Sequence, residues 1–147
     1  ADPFLVDEMD EESDTAEEEA VEAEEITFAL ERDMQSALRA NITQLEAGLK
    51  IIDGGKERTT EAGRIDITAM DDQGNVVVVE LKAGRAGQKV ITQVLAYMGA
   101  VAETDAKPVR GIIVAGDFHK QVVLASRAVP TLQLRRYTFH FSFQPVK

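Results

Sequence analysis

The run Val76-Val77-Val78-Val79-Glu80-Leu81-Lys82 ends an apolar stretch with a carboxylate and an ammonium. Residues two apart on a strand share a face, so Glu80 and Lys82 point one way and Leu81 the other. A second acid, Asp66, interrupts the alternating run Arg64-Ile65-Asp66-Ile67-Thr68-Ala69-Met70. Thirteen residues separate Asp66 from Glu80, among them the turn-forming Asp71-Asp72-Gln73-Gly74-Asn75. A hairpin of that span brings both carboxylates to neighbouring positions on one face. Adjacent carboxylates repel, and each raises the other's pKa. A divalent cation removes the conflict, and Mg2+ is satisfied by a few oxygen ligands because it keeps several waters. A lysine beside such a site can polarise an attacking water. The chemistry this group suits is phosphodiester hydrolysis. The plainer alternative is a Glu80/Lys82 pair at a strand end, with Asp66 in a turn contact.

Several elements must hold these residues. Phe28, Leu30, Met34, Leu38, Ile42, Leu45 and Leu49 recur near helical spacing, which predicts a helix over 28–47, capped by Thr27 and ended near Gly48. A short strand follows at 49–53, then the Gly54-Gly55 turn and a polar stretch to Gly63. Residues 64–70 and 76–82 read as an antiparallel hairpin, and the four valines mark the second strand as central. A glycine-punctuated loop covers 83–87. Val90, Val94, Leu95, Met98 and Val101 mark a helix over 88–103. A buried strand at 109–115, a helix at 119–128 and one or two strands within 132–143 complete the chain. The expected fold is a single α/β domain with a central mixed sheet flanked by helices.

Asp66 followed by Glu80-Leu81-Lys82 resembles the PD-(D/E)xK nuclease signature. Gly63-Arg64-Ile65-Asp66, Val79-Glu80-Leu81-Lys82 and Leu45-Glu46-Ala47-Gly48-Leu49 are similar to the NucS-like, mismatch-endonuclease-type branch. Gln93-x-x-x-Tyr97 is similar to an element of RecB-type members. The resemblance runs from about Leu30 to Ala115. It implies a restriction-endonuclease-like core and Mg2+- or Mn2+-dependent cleavage of DNA in repair, recombination or defence. It also implies roles. Asp66, Glu80 and the Leu81 carbonyl would hold the metal, and Lys82 would act on the attacking water. Glu31 would hold a metal water, with Asp33 and Glu46 as rivals on the same predicted helix. Gln93 and Tyr97, one helical turn apart, would orient Lys82 and contact the DNA backbone. Against these roles stand a core-facing Tyr97 and a surface Gln93.

Arg64, Arg85 and Lys89 are the basic residues near this group. They suit phosphate contacts, or are ordinary solvated charge. Tyr137, Phe139, Phe141 and Phe143 alternate at strand period and read as core or as a dimer surface, with base stacking as the minor alternative.

The formal charge of −10 is unevenly spread. Residues 1–25 hold 13 acids and no Lys or Arg, whereas the other 122 residues carry 16 basic against 13 acidic side chains, a net +3. The chain thus reads as an acidic, disordered tail over 1–25, with a helix allowed from about Thr15, on a mildly basic domain over 26–147. The tail is a solubilising linker or an electrostatic decoy for the basic face. Without Cys there is no disulfide framework or zinc–thiolate site, and without Trp no tryptophan-platform carbohydrate module. No apolar run is long enough for a membrane helix, and the acidic start is unlike a signal peptide, so a reducing cytoplasm is the expected setting. The missing initiator Met suits a segment of a longer protein. The expected partner is DNA, with a homodimer and delivery by a fused or separate DNA-binding domain both open. A nuclease-like fold that binds DNA or protein without cutting is the alternative.

Overall fold

In the computed structural model the backbone is described for residues 3–147 and the side chains from residue 15 onward. Helix α1 (Pro3–Ala40) leads through a single 3-10 turn (Ile42–Gln44) into β1 (Lys50–Ile51). A small hairpin, β2 (Arg58–Thr60) and β3 (Gly63–Ile65), precedes β4 (Ile67–Met70) and β5 (Val76–Ala86). Then follow α2 (Gln88–Asp105), β6 (Val109–Phe118), α3 (Lys120–Arg127) and β7 (Leu132–Arg136). The main sheet has the order β1-β4-β5-β6-β7. Its β1-β4-β5 half is antiparallel and its β5-β6-β7 half parallel.

The four valines lie in the central strand, buried on both faces as the sequence predicts. Val76 and Val78 pack with Val90, Val94, Tyr97 and Val101 of α2 and with Ile113. Val77, Val79 and Leu81 face the other way, against Met34 of α1 and Leu49, Ile112 and Val114. Gly111 lies under α2, and a Cβ there would come within 2.7 Å of the Met98 sulfur.

Several expectations change. The helix predicted over 28–47 ends at Ala40, because Asn41 takes a non-helical backbone and its side chain accepts the Thr43 hydroxyl. Ile42, Leu45 and Leu49 continue the apolar rhythm from the 3-10 turn and loop, which is why the periodicity overran the helix. At its other end α1 does not start at Thr27. Residues 15–25 are helical and exposed, in line with the high helix propensity of Glu and Ala. This run continues α1, as the sequence allowed from about Thr15. The loop expected over 83–87 is a continuation of β5, with a register shift against β6 between Lys82 and Arg85. The short, polar β2–β3 hairpin was not anticipated, since three-residue strands leave almost no alternation to read. Finally, the terminal strand stops at Arg136. After the Tyr137 amide, which bonds the Ala115 carbonyl of β6, residues 138–147 are in no strand, and Phe139, Phe141 and Phe143 are exposed rather than core. Among the described residues no helix is long and apolar enough to cross a membrane.

The central strands set the stability. Ile112→Ala, at a fully buried β6 position, is expected to lower unfolding free energy by about 2–5 kcal/mol. Phe141→Ala, on the exposed terminus, is expected to change it by less than about 0.5 kcal/mol. Urea denaturation of the two variants checks the contrast.

Candidate active site

The hairpin register sets the site. Ile67 pairs with Val79 across β4 and β5, so Asp66, at the bend between β3 and β4, faces Glu80. The Asp66 Oδ2 accepts the Leu81 N–H at 2.8 Å. Glu80 is only 4% exposed, and its Oε2 is buried without a hydrogen-bond partner. The Lys82 Nζ stands 3.8 Å from the Glu80 Oε1, on the same face of β5, and is partly open to solvent. Burial foremost, then the Asp66 carboxylate beside it, push the Glu80 carboxyl up to about 9, with Lys82 pulling it down and Glu31 adding a small push upward. Burial and the Asp66 charge both favour the protonated form of Glu80.

α2 supplies the lid over Glu80. Tyr97 is buried, and burial together with the Glu80 charge raises its hydroxyl pKa. Its OH accepts the Gln93 Nε2 donor at 2.7 Å. Gly63, with φ +124°, closes over the ring, and a Cβ there would lie 3.3 Å from the Tyr97 oxygen. Tyr97 is thus packed against Gly63 with its hydroxyl on Gln93, the core-facing alternative weighed for it. Gln93 does reach an open surface. It lines a cleft of about 580 Å³ with Lys82, Arg85, Lys89 and His119, at the start of α2. Arg85 and Lys89 are exposed in that cleft, as their expected phosphate role requires, whereas Arg64 lies on β3, away from it.

Glu31 is the helical acid beside the pair, sharing a pocket of about 360 Å³ with Asp66. Its Oε1 accepts the Ala83 N–H at 3.0 Å. The two rivals fall away: Asp33 is exposed, and Glu46 is tied to Arg110 by two 2.7 Å contacts. Sequence reasoning missed the brace behind Asp66. Arg39 grips Asp53 through both guanidinium arms, at 2.7 and 2.9 Å, and also donates to the Asp66 main-chain oxygen. Gln35 donates to that same oxygen at 2.8 Å. Asp53, with its side chain 1% exposed, accepts the Thr68 and Gly55 N–H groups as well. Gln35 and Arg39, four apart on α1, sit on one helix face, and that spacing was the available signal.

Among the described residues no three acidic, His or Cys side chains converge into a closed cage. What the site offers is two adjoining carboxylates, one with an unpartnered oxygen, and the main chain of Leu81. That donor set fits a hard cation that keeps much of its water, not a zinc cage.

An acid and a lysine within a central strand, beside a second acid on the neighbouring bend, in a mixed sheet between helices, resemble a nuclease-type arrangement. Residues 30–140 match the family described as the Endonuclease NucS C-terminal domain, and the chain belongs to it. Endonuclease NucS of Methanopyrus kandleri is 35% identical over 100 residues, covering 66% of this chain and 38% of that protein. Endonuclease NucS 2 of Halobacterium salinarum is 38% identical over 97 residues, with the same coverages. The crystal structure of a repair endonuclease from Pyrococcus abyssi superposes with a TM-score of 0.66 at 28% identity, over 73% of this chain and 46% of that one. A structure of an EndoMS complex with double-stranded DNA gives 0.63 at 28% identity, over 73% and 44%. The chain spans less than half the length of these relatives.

Two outcomes follow from the burial. A carboxyl whose folded pKa lies above its unfolded one stabilises the fold fully below the unfolded value, and the stabilisation is lost as pH rises through the folded value. In EDTA, stability should therefore fall as pH climbs from about 4.5 toward about 9, and Glu80→Gln should flatten that slope; parallel slopes in chemical denaturation would contradict it. Arg39→Ala leaves a buried Asp53 charge unpaired and should cost about 3–5 kcal/mol, most of it recovered in Arg39→Ala/Asp53→Asn.

Proposed function

We propose that this chain is the catalytic segment of a divalent-metal-dependent DNA endonuclease acting in DNA repair. The observation that carries the reading is the Glu80 Oε2, buried and unpartnered against a second carboxylate, with Lys82 at the edge of the same face. A buried acid so placed destabilises the fold unless it stays protonated or meets a cation. Membership in a family named for an endonuclease supports the reading. So does the likeness to an EndoMS–DNA complex, which makes DNA the proposed partner.

Asp66, Glu80 and the Leu81 carbonyl would hold Mg2+ or Mn2+. Such an ion, when bound, neutralises phosphate charge and lowers the pKa of water. The chain's own residues do the rest. Binding requires Glu80 to lose its proton, which couples metal affinity to pH. Lys82, partly open to solvent beside Glu80, holds the attacking water toward the phosphorus. Gln93 anchors the Tyr97 hydroxyl, and together they wall Glu80 off from bulk water. Arg85 and Lys89 meet the phosphates beside the scissile bond. Glu31 acts one step back, through the Ala83 amide.

Asp66→Ala, Glu80→Ala and Lys82→Ala should each abolish Mg2+- or Mn2+-dependent cleavage of labelled duplex, branched or single-stranded DNA. Groups that act as a unit lose nearly as much singly as together. Mn2+ should raise the melting temperature of the wild type, and Asp66→Asn should remove most of that shift. Cleavage surviving in Glu80→Ala, or an equal Mn2+ shift in Asp66→Asn, would reject the assignment.

A further inference from the structure

A second basic groove of about 520 Å³ runs between α1 and the β2–β3 hairpin, away from the cleft that holds Arg85 and Lys89. Arg32, Lys56 and Arg64 line it and are exposed, against a single acid, Glu57. None of the three cations forms an ion pair among the described residues. Arg39 also lines the groove, but its guanidinium is committed to Asp53 and the Asp66 carbonyl, so it is wall and not ligand.

The groove is continuous with the carboxylate site. Arg32, Gln35 and Glu57 line both it and the pocket that contains Glu31 and Asp66. Arg32 lies over the Phe28 ring, 5.8 Å from its centroid, at the junction of the two. A chain of phosphates at the carboxylate pair therefore has two charged exits. One leaves by Lys82 toward Arg85 and Lys89, the other by Asp66 toward Arg32, Lys56 and Arg64. Free cations lining an open, polar groove suit a sugar–phosphate backbone, which they hold without reading base edges. The surrounding charge sharpens the point. The exposed face of α1 over residues 15–25 is strongly acidic, so phosphates are repelled from the helix beyond Phe28 and confined to the hairpin side.

We propose that the groove between α1 and the β2–β3 hairpin binds the DNA backbone flanking the scissile phosphate, through Lys56, Arg64 and Arg32. This rests on the reading of Asp66 and Glu80 as the cleavage site, and the hairpin is then a DNA-gripping element and not a mere connector.

The test is fluorescence anisotropy of a labelled DNA duplex at several salt concentrations in EDTA, with the 147-residue chain, Lys56→Glu/Arg64→Glu, and Arg127→Glu on α3 as a charge control. Every cation removed from a phosphate lowers the slope of log Kd against log salt by about 0.9. The double variant should be shallower by about 1.8 and bind roughly 60-fold more weakly at 0.1 M salt, taking equal affinity at 1 M, equally for unrelated duplex sequences. Arg127→Glu should match wild type. The Mn2+-induced melting shift of the double variant should be unchanged, which shows an intact carboxylate site. A wild-type slope in the double variant overturns the proposal, as does equal weakening by Arg127→Glu, or a wild type with no salt-dependent binding. Cleavage is measured separately. If the wild type does not cut but the slope falls as stated, the groove stands and the catalytic reading fails. If it cuts and the slope is unchanged, the groove alone fails.

Discussion

A carboxylate buried beside another carboxylate is the constraint to which the site is built. Register forces it: once Ile67 opposes Val79, Asp66 must face Glu80. The valines that precede Glu80 are buried on both faces, so the strand cannot slip by one residue without turning its whole apolar set over. The apolar core thus pays for an electrostatic conflict at its edge. The fold relieves it partly through the proton that Glu80 retains and partly through the Leu81 amide that Asp66 accepts. Neither device satisfies the Glu80 Oε2. On the proposed reading, that residual deficit is what a bound cation would meet.

The second constraint follows directly after Lys82. β5 slips against β6 between Lys82 and Arg85, with Gly84 at φ +74°. A bulge removes backbone amides from the ladder, and buried amides need partners. The Ala83 amide finds Glu31 and the Gly84 amide finds the Tyr137 hydroxyl at 2.9 Å. An acid from the first helix and a tyrosine past the last strand therefore fix the same two residues. The bulge turns the strand toward the start of α2, which places Arg85 in the cleft with Lys82 and Gln93.

Much of this was legible. The Asp66–Glu80 adjacency, the antiparallel hairpin, the central valine strand and the Gln93/Tyr97 pairing all depend on spacings within one or two local elements, and such spacings are visible in a chain. What was hidden depends on where the chain returns. Nothing in the chain marks Arg39, because its partner Asp53 reaches it only through the fold. A core-facing Tyr97 was weighed from the sequence, but its packing against Gly63 was hidden, because the two-strand hairpin that closes over it is short and polar. The end of α1 was misplaced since apolar rhythm persists through the 3-10 turn after Asn41. The exposed aromatic terminus shows the converse: Phe139, Phe141 and Phe143 alternate well, yet a strand needs a neighbour to hydrogen-bond with, and β7 ends the sheet.

The first helix unites these threads. Over residues 15–25 its exposed side chains are acidic, and they touch no core. From Phe28 onward it serves the site at successive turns. Glu31 clamps the bulge, while Gln35 and Arg39 hold the Asp66 carbonyl. Met34, on the intervening face, anchors the helix to the core through Val77 and Val79. Glu31, Gln35 and Arg39 advance by four each time, so one stripe of the helix controls both the strand that carries Lys82 and the bend that carries Asp66. Any tilt of α1 would therefore move the two halves of the site together. The same α-helical spacing keeps the carboxylates paired and leaves Arg32, one residue off the stripe, free to face the groove.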